Sequence, residues 1–82
     1  MECQAIYPQL WSYNFMNKFA ERLKELRVEK GLSIIQLAKE TNLSKSAVSY
    51  WENCVRIPNA LAIITLCKYF NVSADYLLGL ED

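Results

Sequence analysis

Four residues that commonly cap the N-terminus of a helix follow one another at short intervals along the chain. They are Ser33, Ser44, Asn59 and Ser73, spaced 11, 15 and 14 residues apart. The side-chain oxygen of such a residue accepts a hydrogen bond from a free backbone N–H of the first helical turn. Each interval leaves room for about two or three turns of helix and a short connection. Neighbouring helices must then pack at steep angles, and the spacing predicts a compact, all-α domain.

The ends of the predicted helices are also marked. The first covers roughly residues 17–30 and stops at Gly31, since glycine readily adopts the left-handed conformation that closes a helix. The second starts at a capping box formed by Ser33 and Gln36, and it runs to residue 40 or 41 before Asn42 turns the chain. The other three helices are predicted over residues 45–53, over 60–70, and after Ser73.

Apolar residues recur at helical spacing in these segments and indicate which faces form the core. The short fifth helix holds Tyr76, Leu77 and Leu80. The inward-facing residues predicted for the first and third helices are Phe19, Leu23, Leu26, Val48 and Trp51. The buried stripe predicted for the fourth helix comprises Ala60, Ile63, Ile64, Cys67 and Phe70.

The chain has no histidine and three cysteines, Cys3, Cys54 and Cys67, without CxxC spacing. Histidine is the commonest general base, and three thiols cannot complete a four-ligand zinc site within one chain. The odd count favours reduced thiols in a reducing cytosol over a disulfide scaffold. Neither a signal peptide nor an apolar run of about 18 residues is present. We therefore expect a cytoplasmic protein that is not an enzyme and needs no metal, cofactor, small-molecule substrate or membrane.

Residues 31–53, GLSIIQLAKETNLSKSAVSYWEN, place two capped helices back to back across a four-residue turn. Ala38 is small where the two helices must approach closely, while Val48 and Trp51 face inward from the second helix. This arrangement is a helix-turn-helix. The outward side of its second helix carries side chains that can contact base edges. This polar face consists of Lys45, Ser46, Ser49 and Tyr50.

About four-fifths of the chain, from residue 16 to residue 79, resembles the phage repressor/Cro family of bacterial helix-turn-helix regulators, also called the XRE family. The matching segments are FAERLKELR (19–27), GLS (31–33), QLA (36–38), SAVSYWEN (46–53) and VSADYLLG (72–79), together with Pro58. The resemblance implies a five-helix bundle of the lambda-repressor type. It places the DNA-binding domain at residues 16–80 and leaves residues 1–15 as an N-terminal extension.

The resemblance also implies roles for individual residues. The helix that starts at Lys45 would enter the major groove with its polar face nearest the bases. Arg27 would pair with Glu52 and brace the first helix against this one. Family members usually bind as dimers, which implies an inverted-repeat operator in double-stranded DNA with half-sites about 34 Å apart. The implied contacts to the DNA backbone come from Ser33, Gln36, Ser44, Asn53 and Arg56.

Three positions depart from the family pattern. The family commonly has glutamine at the position of Ile34, where it grips a phosphate, and isoleucine cannot do so. Glycine is common at the positions of Asn42 and Cys54. Asparagine tolerates a positive φ, whereas cysteine does so less readily. We therefore expect the loop after the third helix to differ from the family pattern.

The formal net charge is zero, with nine basic and nine acidic residues. The charges are unevenly placed. Residues 17–58 hold eight Lys or Arg against five Glu, a net charge of +3, whereas residues 59–82 hold one Lys against three acidic residues, a net charge of −2. The positive part coincides with the helix-turn-helix. The small excess predicts few phosphate contacts and a shallow salt dependence of DNA binding.

We therefore expect a sequence-specific transcriptional regulator, a dimeric repressor that reads the major groove. The alternative is a protein-interaction module of the antitoxin or antirepressor kind, which keeps the fold and binds little DNA. Ile34, the zero net charge and surplus apolar residues such as Leu61 favour the alternative.

The N-terminal extension holds four of the ten aromatic residues of the chain. Trp11, Tyr13 and Phe15 alternate with polar residues, as in a strand, yet Tyr7, Trp11 and Phe15 also lie four apart, as in a helix. The pattern leaves both structures open. Because large exposed apolar patches usually mark interfaces, we hypothesise that this arm packs across the first or fourth helix or pairs with a second copy.

Overall fold

The computed structural model describes residues 10–80, with side chains from residue 17 onward. Within the described residues the chain forms five helices and no strand. These are α1 (Leu10–Glu29), α2 (Ile34–Thr41), α3 (Lys45–Glu52), α4 (Ala60–Phe70) and α5 (Ala74–Leu77). The prediction of an all-α, five-helix domain is confirmed.

Every capping residue expected from the sequence caps its helix. At α2, Ser33 Oγ accepts a hydrogen bond from the Gln36 amide at 3.1 Å, and Gln36 Oε1 accepts one from the Ser33 amide at 2.8 Å. The capping box is therefore complete. Ser44, Asn59 and Ser73 each accept a bond from an amide of the first turn of α3, α4 and α5, respectively.

The first helix begins seven residues earlier than the sequence suggested, at Leu10 instead of residue 17. The helical spacing of the aromatic residues therefore prevails over the strand-like alternation of Trp11, Tyr13 and Phe15. Adding a turn to an existing helix costs less than starting a new element, because each added residue gains one hydrogen bond. Residues 1–9 and the side chains of residues 10–16 lie outside the part of the chain that the structure describes. The hypothesis that the N-terminal arm packs against the domain or a second copy falls on these residues and stays a prediction.

The core gathers residues from all five helices. It consists of Phe19, Leu23, Leu37, Ala38, Val48, Trp51, Ala62, Leu66, Phe70 and Leu77. The helix α3 packs against both α1 and α2. Between α1 and α3 the rings of Phe19 and Trp51 meet edge to face, with centroids 6.3 Å apart. Two neighbours therefore fix the position of α3 and the direction of its outer side.

The buried face of α4 is not the one that the sequence predicted. Ala62, Leu66 and Phe70 are buried, whereas Ala60 and Ile64 of the predicted stripe are exposed. Of the predicted stripe, Phe70 is buried, and Ile63 and Cys67 are half-buried. Apolar residues occur on nearly every side of this helix, and periodicity then cannot select one face. Packing against α2 and α5 makes the selection.

Two contacts fix α5 against α1. The buried Arg22 donates a hydrogen bond to the carbonyl of Tyr76, and its guanidinium lies 4.4 Å from the centre of the Tyr76 ring. After α5, Gly79 has φ +79°, and a Cβ there would lie 2.5 Å from Cβ of Lys18. Glycine is required at this position by both its backbone conformation and the close approach of α1.

Candidate nucleic-acid interface

The polar face of α3 lies on the side away from the core. Lys45, Ser46 and Tyr50 are exposed and Ser49 is half-buried, while Val48 and Trp51 are buried behind them. Positions four apart on a helix are neighbours on one side. The structure therefore brings the four residues predicted to contact bases onto a single surface.

The N-terminus of α3 can donate hydrogen bonds at the edge of this surface. Ser44 Oγ accepts a bond from the Ala47 amide at 3.0 Å, and this leaves the hydroxyl proton available for another acceptor. The helix N-terminus also carries a partial positive charge, which favours an anion nearby. At α2, Ser33 Oγ accepts a bond from the Gln36 backbone amide, so its hydroxyl proton is likewise available to another acceptor. The capping box uses the side-chain oxygen of Gln36 and leaves its side-chain nitrogen available.

The loop after α3 holds the other two residues predicted to contact the DNA backbone. Asn53 donates a side-chain hydrogen bond to the Ser49 carbonyl at 2.8 Å, so part of its donor capacity is already used. Arg56 is exposed, and its guanidinium lies 5.1 Å from the centre of the Tyr50 ring. The guanidinium lies over the ring as a cation, and its N–H groups remain available to a phosphate.

Arg27 and Glu52, predicted as a pair, form a two-point ion pair. Arg27 Nε donates to Glu52 Oε2 at 2.7 Å, and Nη2 donates to Oε1 at 3.0 Å. The remaining nitrogen, Nη1, donates to the Leu32 carbonyl at 2.7 Å. The hydrogen bond to Glu52 raises the pKa of the Arg27 guanidinium above its ordinary value, despite the opposing effect of burial. The pair thus joins α1, the α1–α2 turn and the last residue of α3.

The three departures from the family pattern have distinct outcomes. Ile34 packs against the core, so α2 lacks a phosphate-gripping side chain at that position. Asn42 has φ 58° at the end of α2, as expected of a residue that tolerates this conformation. Cys54 has φ 60°, a conformation that glycine adopts more readily.

The cysteines differ from the expectation of reduced thiols. Cys54 is disulfide-bonded, so that expectation is wrong for this residue. Cys67 is the free cysteine of the described residues; it is half-buried, and burial raises the pKa of its thiol.

The family model described as "Helix-turn-helix" (HTH_3) matches residues 23–77 of the chain. The protein belongs to this helix-turn-helix family. Its relatives are transcriptional regulators and not enzymes, and the family binds double-stranded DNA. The resemblance noted in the sequence is therefore confirmed.

Two relatives illustrate the match. The helix-turn-helix activator BcrR of Enterococcus faecalis is 37% identical over 65 residues, which are 79% of this chain and 32% of BcrR. The regulator ImmR of Bacillus subtilis is 34% identical over 62 residues, which are 76% of this chain and 49% of ImmR. This helix-turn-helix chain thus spans about a third to a half of the length of these curated relatives.

Solved structures agree with the fold. The restriction-modification controller protein C.AhdI of Aeromonas hydrophila matches with a TM-score of 0.69 and 34% identity, over 76% of this chain and 94% of C.AhdI. A chain of the SinR/SinI protein complex matches with a TM-score of 0.69 and 28% identity, over 78% of this chain and 67% of that chain.

The charge available at the helix-turn-helix surface is smaller than the sequence count indicated. Arg22 is buried against α5 and adds no free positive charge to this surface, whereas the pair of Arg27 with Glu52 already cancels within the net charge of +3. The exposed cations next to it are Lys45 and Arg56, with Lys39 on α2. The burial of Arg22 cannot be read from the sequence, so a net count treats it as a free cation.

Two features beside α3 have no signal in the sequence. The stack of Arg56 on Tyr50 spans six residues across a turn and has no periodic signal. Val55 and Ile57 flank Arg56 with 54% and 55% of their surface exposed, although their type suggested burial. Among residues 10–80, no helix is long and apolar enough to cross a membrane, and no group of side chains could hold a metal ion.

Proposed function

We propose that this protein is a sequence-specific regulator of transcription that reads the major groove with the polar face of α3. The observation that carries this proposal is that α3 is fixed in place behind that face. Val48 and Trp51 anchor α3 from behind, and the pair of Arg27 with Glu52 fixes its C-terminal end. A helix held in this way can present side chains to base edges without having to order its backbone on binding. The domain assigned to this function is residues 16–80, with residues 1–15 as an extension.

The DNA backbone is held by donors around this face. The hydroxyls of Ser33 and Ser44 supply hydrogen bonds to phosphates. Both residues lie at a helix N-terminus, where the partial positive charge favours an anion. Gln36, Asn53 and Arg56 add amide and guanidinium donors. Because few of these contacts involve a cation, the affinity falls less steeply with salt than is usual for DNA-binding proteins.

The functional unit of this proposal is a homodimer on an inverted-repeat operator. A single α3 reaches only one stretch of major groove, and two copies related by a twofold axis reach two half-sites about 34 Å apart. Repression is the regulatory outcome we infer, since a bound dimer excludes other proteins from the same DNA. A reporter gene placed behind the operator tests the sign of the effect, which matters because the relative BcrR is named as an activator.

Selection of bound sites from a random duplex pool tests the proposal directly. We expect enrichment of an inverted repeat, with half-sites about one helical turn apart, at both 50 mM and 200 mM salt, roughly the range over which non-specific binding is lost. A pool that remains random after repeated rounds would contradict sequence-specific reading.

A second candidate function, a protein-interaction module, is favoured by exposed apolar side chains beside and beyond α3. Leu61 is 70% exposed, and Ile57 and Ile64 are more than half exposed. Tyr69 does not add to this surface, because its hydroxyl donates to Glu40 at 3.2 Å and Lys30 lies over its ring. Weak binding to bulk genomic DNA at low salt, together with a random selected pool, would favour this candidate.

A further inference from the structure

A carboxylate stands at the C-terminal end of the proposed reading helix. Glu52 is the last residue of α3, and its side chain is only 6% exposed. Both of its oxygens accept hydrogen bonds from Arg27. A negative charge at this place would repel the DNA backbone if it were unmatched.

Arg56 lies four residues after Glu52 and is exposed to solvent. Its interaction within the described residues is the stack on Tyr50, and no carboxylate pairs with it there. Glu52 is the acidic residue nearest to Arg56 in the sequence. The cation proposed to bind phosphate thus stays unpaired, although a carboxylate lies only four residues before it in the sequence.

We propose that Arg27 is a positioning residue for DNA binding, which acts by occupying both oxygens of Glu52. In this role it prevents that carboxylate from pairing with Arg56 and from repelling phosphates. The inference rests on the proposed function as a DNA reader. Arg27 would then have two tasks, which are to brace α1 against α3 and to mask the charge of Glu52.

The two tasks predict different patterns of mutant affinity. The bond between Arg27 and Glu52 is lost whichever partner is removed, and Arg27→Gln also loses the bond to the Leu32 carbonyl. A purely structural role therefore predicts a loss of affinity for Glu52→Gln as well as for Arg27→Gln, and no recovery in the double variant. A charge mask is lost only when Arg27 is removed, since Glu52→Gln takes away the charge that needed masking. The double variant Arg27→Gln/Glu52→Gln then recovers the affinity that Arg27→Gln loses.

The experiment measures the dissociation constant of the full chain for a duplex at several salt concentrations, using fluorescence anisotropy. The duplex is the selected operator, or random-sequence DNA at low salt. We expect Arg27→Gln to bind about tenfold more weakly, as for the loss of one hydrogen bond to a charged group, and to lower the salt slope by about one. Glu52→Gln and the double variant should stay within about threefold of the wild type, well inside that loss.

Changes of net charge alone are controlled on the same helix. Lys24→Gln removes one positive charge from an exposed position of α1, and Glu25→Gln removes one negative charge beside it. If Lys24→Gln weakens binding as much as Arg27→Gln, the effect is one of total charge and the proposal is overturned.

Loss of folding is controlled by Arg27→Lys, which keeps the charge and loses the two-point geometry. We expect its melting temperature to fall while its affinity for DNA stays within about threefold of the wild type, because the charge on Glu52 is still matched. If Arg27→Gln does not fold, Arg27→Lys and Glu52→Gln decide the question. A tenfold loss of affinity in folded Glu52→Gln would overturn the mask.

The same titrations separate failure of this inference from failure of the proposed function. If the wild type binds DNA, Glu52→Gln also loses affinity and the double variant does not recover, the mask is wrong and the proposed function stands. If the wild type binds no duplex even at low salt, the proposed function fails and the mask fails with it.

Discussion

Replacing Tyr50 with alanine tests the polar face of α3 at its most informative position. The ring is 40% exposed, lies on the outer side of α3 and supports the guanidinium of Arg56 at 5.1 Å. Tyr50→Ala therefore removes an aromatic contact to a base and the stacking surface for Arg56, while the core behind α3 is unchanged.

The expected magnitude follows from these two contributions. A lost base contact costs about 1–3 kcal/mol of binding free energy on the specific site, which is a 5- to 150-fold loss of affinity. The contact of Arg56 with Tyr50 is present in the free protein, so its loss weakens binding only through the freedom that the Arg56 side chain gains, by at most about 0.5–1 kcal/mol on specific and non-specific DNA alike. The free energy of unfolding should fall by no more than about 1 kcal/mol, because the side chain is partly exposed and loses this contact.

The assay compares the affinity of Tyr50→Ala for the selected operator and for a scrambled duplex of the same length. Tyr50→Phe keeps the ring and should retain the stack. Ile64→Ala, an exposed residue on α4, is the control for loss of apolar surface away from α3. Equal losses on the operator and the scrambled duplex would refute base reading by Tyr50.

Three further predictions concern the fold that holds the site. Ser44→Ala removes the cap of α3 and should lower the free energy of unfolding by about 0.5–2 kcal/mol in urea titrations, whereas the exposed Ser46→Ala should change it little; equal effects would argue against the cap. Leu66→Ala, at a fully buried position of α4, should cost about 3–5 kcal/mol in the same assay, and a cost below 1 kcal/mol would contradict its place in the core. Burial raises the pKa of the Cys67 thiol, which lowers its thiolate fraction at a given pH, so alkylation of the native protein at pH 8 should be slower than alkylation in urea; equal rates would show that the thiol is not shielded.

The sequence predicted the parts of the fold that local chemistry determines. Ser33, Ser44, Asn59 and Ser73 identified four helix starts, because the capping bond forms between a side chain and an amide three residues on. Asn42 likewise marked the turn of the helix-turn-helix through its own backbone preference. The inward face of α3 was predictable because polar residues occupy its other side.

Features set by packing between distant segments were not predictable in the same way. The apolar α4 gave no preferred face, and the start of α1 depended on whether the helical or the strand-like period prevailed. The burial of Arg22 depends on α5, more than fifty residues along the chain, so the sequence placed its charge wrongly at the site. The pair of Arg27 with Glu52 entered through the family resemblance and not through spacing.

Mapping of amide chemical shifts on adding duplex DNA tests the central claim most directly. A random-sequence duplex at low salt is sufficient, because a DNA reader retains electrostatic affinity for any sequence. If the polar face of α3 reads DNA, the largest changes should fall between Ser44 and Arg56, with a second group at Ser33 and Gln36. Changes centred on Leu61 and Ile64 of α4, or none at all, would contradict the account.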